Sequence, residues 1–139
     1  MTSETCKMRV SANYRARLAD LRRLWAAYCE GEEDVEDLGN IFEYGLCFDY
    51  VAPHTFNGQR AGYFRYQLST GGPGDEFRFY VNLDYEPYNI EYWLLDWFDG
   101  ARVRVSLDHK PGQFLSELFT SFFVESEAAK SAYEQAVEE

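Results

Sequence analysis

Hydrophobic residues recur at intervals of three and four in the first part of the chain. Between residues 11 and 29 the apolar positions are Tyr14, Leu18, Leu21, Leu24, Trp25 and Tyr28. This spacing is typical of an amphipathic helix, and it leaves the arginines of the segment on the solvent side. Gly31 follows the last apolar position and can end the helix in the left-handed conformation.

In the middle of the chain the period changes to two. Residues 41–51 are rich in aromatic and β-branched side chains and predict a strand that ends before Pro53. Alternation predicts two further strands at residues 63–69 and 76–83. The apolar positions expected to point inward in these two strands are Phe64, Tyr66, Leu68, Phe77, Phe79, Val81 and Leu83. Since their neighbours are polar or tyrosine, only one face of the sheet is expected to be buried.

Residues 89–97 are apolar on both faces, and their spacing also fits a helix. We predict a strand that passes into a turn at Asp99-Gly100, with a possible fifth strand at residues 103–107. Turn-forming residues near 53–61, 71–74, 84–87 and 99–100 then connect an antiparallel meander of four or five strands.

The C-terminal part returns to helical spacing. After Pro111 the apolar stripe consists of Phe114, Leu115, Leu118, Phe119, Phe122 and Phe123. Residues 126–137 predict a shorter helix that packs through Ala129, Tyr133 and Val137. The pattern therefore predicts a single α+β domain over residues 1–139, in which the N-terminal and C-terminal helices cover one face of the meander.

The net charge of the chain limits the kinds of macromolecule that it is expected to bind. The 139 residues include 13 basic and 24 acidic side chains, for a net charge of −11. Residues 1–29 carry +4, and the remaining residues carry −15. This sign argues against direct binding to nucleic acid or to an anionic membrane, and it favours partners that are themselves basic. Nucleic-acid-binding proteins are the largest such class.

The expected compartment follows from the cysteines and from hydropathy. Cys6, Cys29 and Cys47 are odd in number and lack C-x-x-C spacing, which favours reduced thiols. No 15-residue apolar run is present, and the N-terminus lacks the apolar core of a signal peptide. We expect a cytoplasmic protein, and the sequence leaves its oligomeric state open.

Catalytic and metal-binding groups are sparse. His54 and His109 both lie in proline-bearing loops, and Cys47 is expected in a strand core. Asp96 and Asp99 lie among aromatic residues, where desolvation would raise the pKa of a general acid. The alternative is that Asp99-Gly100 forms a turn and that Asp96 either acts as a cap or pairs with one of the arginines. We predict no catalytic residue, no metal site and no cofactor.

The glycine-rich stretch at residues 69–76 does not fit a phosphate-binding loop. No Lys-Ser or Lys-Thr pair follows it, Pro73 lacks a donor, and Asp75 and Glu76 would repel phosphate. It is predicted to be a turn.

Acidic and aromatic residues instead combine in the second half of the chain. Rigid rings supply contact area, and carboxylates recognise Lys and Arg. The predicted partner-binding residues are Asp84, Tyr85, Glu86, Tyr88, Glu91, Trp93, Asp96, Trp97 and Asp99. The acidic run at residues 30–37 is a possible second part of this surface, or a solvated connector. An ordinary acidic protein with an aromatic core would show the same composition.

Four segments carry a resemblance. Residues 42–50 (FEYGLCFDY), 62–69 (GYFRYQLS), 75–80 (DEFRFY) and 90–100 (IEYWLLDWFDG) resemble small acidic accessory proteins of plasmids and phages. Such accessory proteins often occur among antirestriction and anti-CRISPR inhibitors, which are also small and acidic. The resemblance implies a non-enzymatic protein that occludes a nucleic-acid-binding surface, and it implies no catalytic residue.

The first hypothesis is therefore a non-enzymatic inhibitor of a host nucleic-acid-binding defence complex, which binds a basic surface through acidic and aromatic residues. One alternative is a small hydrolytic enzyme that uses Asp96 and Asp99. The other is a regulatory module that pairs through its basic first helix, whose arginines are Arg15, Arg17, Arg22 and Arg23.

Overall fold

The computed structural model describes residues 5–32, 34–71, 73–96 and 99–137. The helices are α1 (Cys6–Cys29), α2 (Ile41–Tyr44), α3 (Lys110–Leu118) and α4 (Ala128–Val137), with a π-helical segment at Phe119–Val124. The strands are β1 (Cys47–Val51), β2 (Tyr63–Ser69), β3 (Gly74–Val81), β4 (Pro87–Asp96) and β5 (Asp99–Val105).

The described strands form one antiparallel sheet in the order β1-β2-β3-β4-β5, which confirms the predicted meander and the α+β class. The helices at both ends of the chain pack on one face of this sheet. Phe119 lies at the centre of the core, with its ring centroid 5.5 Å from that of Phe64 and 4.8 Å from that of Phe79. No helix among the described residues is long and apolar enough to cross a membrane.

Helix α1 begins earlier than the apolar stripe alone predicts. Its N-cap is Thr5, whose hydroxyl accepts from the Met8 amide, and the turn that follows buries Cys6 and Val10. The predicted end is confirmed, because Gly31 has φ +81° directly after the C-cap. Of the predicted stripe, Leu18, Leu21, Leu24 and Trp25 are buried, Tyr14 is partly buried, and Tyr28 is 46% exposed.

The predicted strand at residues 41–51 is wrong in its first half. Residues 41–44 form helix α2, and β1 starts only at Cys47. Asn40 caps this helix, with its side-chain oxygen accepting from the amides of Phe42 at 2.9 Å and Glu43 at 3.1 Å. Cys47, which was expected in the core, is exposed at the first position of β1.

The predicted turn at Asp99-Gly100 is also wrong, since these residues begin β5 and Asp99 pairs in register with Asp96. Strand β5 consequently ends at Val105 rather than at residue 107. Leu83 was expected to point inward but lies exposed in the β3–β4 turn, because β3 ends at Val81.

The two C-terminal helices are confirmed, although Tyr133 and Val137 of α4 remain exposed while Ala129 is buried. Helix α3 approaches the end of the sheet closely. A Cβ on Gly112 would lie 2.0 Å from the carbonyl oxygen of Ser106, so only glycine fits at this point.

Candidate protein-binding groove

A groove lies between the end of α1 and the segment that leads into α2. It encloses about 520 Å³, and Leu24, Ala27, Val35 and Ile41 supply its apolar lining. Tyr28 and Phe42 also line it, and they are 46% and 67% exposed. We call this feature the acidic–aromatic groove, since carboxylates surround these two rings. Rings of this exposure offer contact area that the fold itself does not use.

The backbone after α1 fixes the wall of the groove. The Glu32 amide donates to the Ala27 carbonyl at 2.8 Å, which closes the end of the helix. Val35 and Gly39 then exchange backbone hydrogen bonds of 2.7 and 3.0 Å, with Asp37 at φ +73° between them. The acidic run is therefore a folded turn over its described residues, with the side chains of Val35 and Leu38 packed on the core.

Aromatic side chains join the groove to the core. The ring of Tyr28 stacks on Trp25 with a centroid distance of 5.2 Å and meets the edge of Phe42 at 5.5 Å. Phe42 in turn contacts Phe122 of the π-helical segment at 5.3 Å. These contacts fix the two exposed rings on their inner faces. The rings would therefore lose little conformational entropy when a partner binds to their outer faces.

Carboxylates surround these rings. The exposed acidic residues in and beside the groove are Glu30, Glu32, Asp34, Glu36, Asp37 and Glu43. Glu33 belongs to the same run and lies outside the described residues. Within the described part of the chain, none of the six is within 4.0 Å of a basic side-chain nitrogen. Their charge is therefore available to an incoming basic group.

The residues predicted from sequence to bind a partner fall in three separate places. Asp84, Tyr85 and Glu86 form the β3–β4 turn, where the Asp84 carboxylate accepts from the Glu86 amide at 3.1 Å. Tyr85 has φ +66°, and its ring packs on Phe64 of the core. Tyr88 is exposed at the start of β4.

Glu91 and Trp93 lie on the face of the sheet that none of the described helices covers, which we call the open sheet face. Its charged residues and its tryptophan are Asp49, Arg65, Glu76, Arg78, Glu91, Trp93, Arg102 and Arg104. Four arginines and three carboxylates make this face almost neutral, in contrast to the chain as a whole.

Glu91 is only 2% exposed, although alternation places it outward. It accepts from the indole of Trp93 and from Arg102, each at 3.0 Å. The guanidinium carbon of Arg78 lies 4.1 Å from the centroid of Trp93. The expectation that only one face of the sheet is buried is therefore wrong in part. On the open sheet face, the long side chains of Trp93 and Arg102 cover the carboxylate of Glu91.

Asp96 and Asp99 anchor helix α1. Asp96 lies 3.5 Å from a guanidinium nitrogen of Arg9, and Asp99 accepts from the Cys6 amide at 2.7 Å. That backbone hydrogen bond lowers the pKa of Asp99, which is the opposite of what a general acid needs. Both carboxylates therefore have partners on α1. Trp97, the remaining predicted residue, lies outside the described residues.

His54 and His109 are exposed and far apart in the fold: His54 lies after β1, and His109 precedes α3. No three His, Cys, Asp or Glu side chains among the described residues converge as metal ligands would.

The sequence prediction missed Tyr28 and Phe42 for identifiable reasons. Tyr28 continues the spacing of the buried helix stripe, and Phe42 was assigned to a strand. The available signal was Asn40 followed three residues later by Glu43, a pattern that marks the start of a helix. Starting α2 there buries Ile41 and directs Phe42 outward.

Comparison with protein-family models, curated proteins and solved structures finds no match for this chain.

Proposed function

We propose that the chain is a non-enzymatic protein ligand whose acidic–aromatic groove binds a basic amphipathic segment of another protein. The observation that carries this proposal is a pair of exposed rings, Tyr28 and Phe42, above an apolar floor and among carboxylates that form no ion pair with any described residue. Apolar side chains of the partner would fill the groove, and its lysines and arginines would meet the rim. Arginine can also stack on the two rings.

The finer proposal is that the bound segment belongs to the nucleic-acid-binding surface of a host defence complex. Basic residues with interspersed apolar side chains are common on such surfaces, and the net charge of −11 would speed encounter with them. The resemblance to antirestriction and anti-CRISPR proteins favours the same class. Occupation of that surface would exclude nucleic acid. A second contact with the partner stays predicted at the exposed residues Asp84, Glu86 and Tyr88.

The binding step can be tested with a defined probe. The probe is a peptide with leucines at helical spacing and lysine or arginine at the other positions. The control is a peptide of the same composition in scrambled order. We expect the patterned peptide to bind, the scrambled one to bind more weakly, and the affinity to fall as salt rises. Phe42→Ala combined with Tyr28→Ala should weaken binding by about tenfold or more.

A second variant tests the charge. Neutralising Glu32, Asp34 and Glu43 to the corresponding amides should weaken binding. Neutralising Glu117, Glu125 and Glu134 makes the same change in net charge at exposed positions in the C-terminal part of the chain. If both triple variants bind alike, only net charge matters and the groove is not the site.

Inhibition needs its own assay. We expect the protein to block DNA cleavage by at least one of a panel of purified restriction and CRISPR effector complexes, and the Phe42→Ala variant to have lost that effect. A variant that inhibits as well as the unchanged protein would separate inhibition from the groove and overturn the finer proposal.

A further inference from the structure

The outer edge of β5 has the properties of a second binding surface, with the opposite charge. Strand β5 is the last strand of the sheet and pairs on one side only, with β4. Alternate residues of such an edge direct their amides and carbonyls away from the sheet. In the ranges that the structure describes, no other segment makes a backbone hydrogen bond to this edge.

Arginines flank this edge on both faces of the sheet. On the open sheet face, the side chains of Arg102 and Arg104 are 50% and 68% exposed. On the helical side, Arg15 and Arg22 project from α1, separated by two helical turns along one side of that helix. A chain of net charge −11 thus concentrates four arginines around one strand.

Between the arginines of α1 and the strand lies a groove of about 560 Å³. Val103 of β5 lines it, opposite Leu18 of α1 and beside Pro111 at the start of α3. Side chains of an added strand that point to the helical side would enter this groove. The edge therefore offers an apolar lining together with its unpaired backbone groups.

The arginines at this edge are only partly neutralised. Arg15 and Arg22 have no carboxylate within 4.0 Å among the described residues, and Arg104 lies 3.9 Å from Glu91. Arg102 and Arg104 share that one buried carboxylate. The edge therefore carries unbalanced positive charge, and the complementary occupant is acidic.

We propose that the β5 edge binds an extended acidic segment of another protein as an added sixth strand. Because side chains of a strand alternate, the segment would place carboxylates on the open sheet face, opposite Arg102 and Arg104. Its intervening apolar side chains would enter the groove beside Val103. This site is independent of the acidic–aromatic groove, which selects a ligand of the opposite charge.

The probe is a capped heptapeptide of alternating glutamate and valine, with a lysine-valine peptide as control. We expect only the acidic peptide to bind, with changes in the amide chemical shifts of β5 and slower hydrogen exchange there. Two further forms carry backbone N-methyl groups along one edge or along the other. Strand addition uses a single edge of the peptide, so one form should lose binding by at least tenfold and the other should retain it.

Variants of the protein test the arginines. Arg104→Gln should weaken binding several-fold, because Arg104 faces the added carboxylates, whereas Arg60→Gln makes the same change in net charge at a distant exposed position and should have little effect. The proposal is overturned if both N-methyl forms bind like the parent peptide, or if the shifts map to the β1 edge. Binding equal in both charge variants would also overturn it. None of these outcomes bears on the acidic–aromatic groove.

Discussion

Asp75 is a buried carboxylate that accepts four side-chain hydrogen bonds, and it lies on the core face of β3. It is 4% exposed and accepts from Arg17 at 2.7 and 3.0 Å and from the Tyr92 hydroxyl at 2.6 Å. Ser69 donates to it as well. Removal of one partner from such a cluster leaves the other groups buried and unpaired, which costs far more than the loss of a surface ion pair.

We therefore expect Asp75→Asn to lower the free energy of unfolding by roughly 3 kcal/mol, measured by urea denaturation. Asp49→Asn is the matched control, since Asp49 also accepts two hydrogen bonds from one arginine, Arg65, but is 39% exposed. Its loss should cost about 1 kcal/mol or less. Equal losses in the two variants would contradict the role given to burial.

The buried tyrosines predict that the folded protein loses stability at alkaline pH. Burial raises the pKa of Tyr44 to about 12, against a lowering by the hydrogen bond from Arg17 and with a smaller rise from Asp20. Burial and the charge of Glu91 raise the pKa of Tyr80 to about 12. The folded protein thus holds these protons more tightly than an unfolded chain, in which tyrosine titrates near pH 10.

This raised pKa contributes stability that is complete below pH 10 and is lost as the pH rises from about 10 to 12. Urea unfolding at a series of alkaline pH values, with tyrosinate absorbance recorded in parallel, measures the effect. Unchanged stability up to pH 12 would contradict it.

At the level of elements, long periodic segments were predictable and short ones were not. Helix α1 and the two middle strands follow from period alone, because each buries one face over many residues. Helix α2 has four residues, too few to show a period, and only its cap at Asn40 marks it. The β4–β5 register is set by the cross-strand pairs of Ile90 with Val105 and Tyr92 with Val103, which outweigh the turn preference of Asp99-Gly100.

The close approach of α3 to the end of β5 predicts that any side chain at position 112 destabilises the fold. A methyl group at position 112 would meet the backbone of residues 106–107, which cannot move aside without shifting the end of the sheet. We expect Gly112→Ala to cost about 2 kcal/mol or more in the free energy of unfolding. Gly100→Ala is the control, because the nearest atom to its new methyl group is the flexible end of Leu95 at 3.2 Å, and the nearest backbone atom lies at an ordinary contact distance of 3.8 Å. Similar losses would show that the junction adapts.

For the whole molecule, composition indicated that carboxylates and rings occur together but not where in the fold they meet. The exposed groove has both. Which rings stay exposed depends on tertiary packing: Trp93 and Arg102 cover Glu91, while nothing in the described residues covers the outer face of Phe42. Charge is also divided in space, with an acidic groove at one end of α1 and arginines along β5.

The most direct measurement is a chemical-shift map of the protein titrated with the patterned basic peptide. We expect the largest changes at the amides of Tyr28, Val35 and Phe42, and we expect them to diminish as salt is raised. Changes confined to β5 or to the open sheet face, or none at peptide concentrations well above the micromolar range, would contradict the proposed role of the groove.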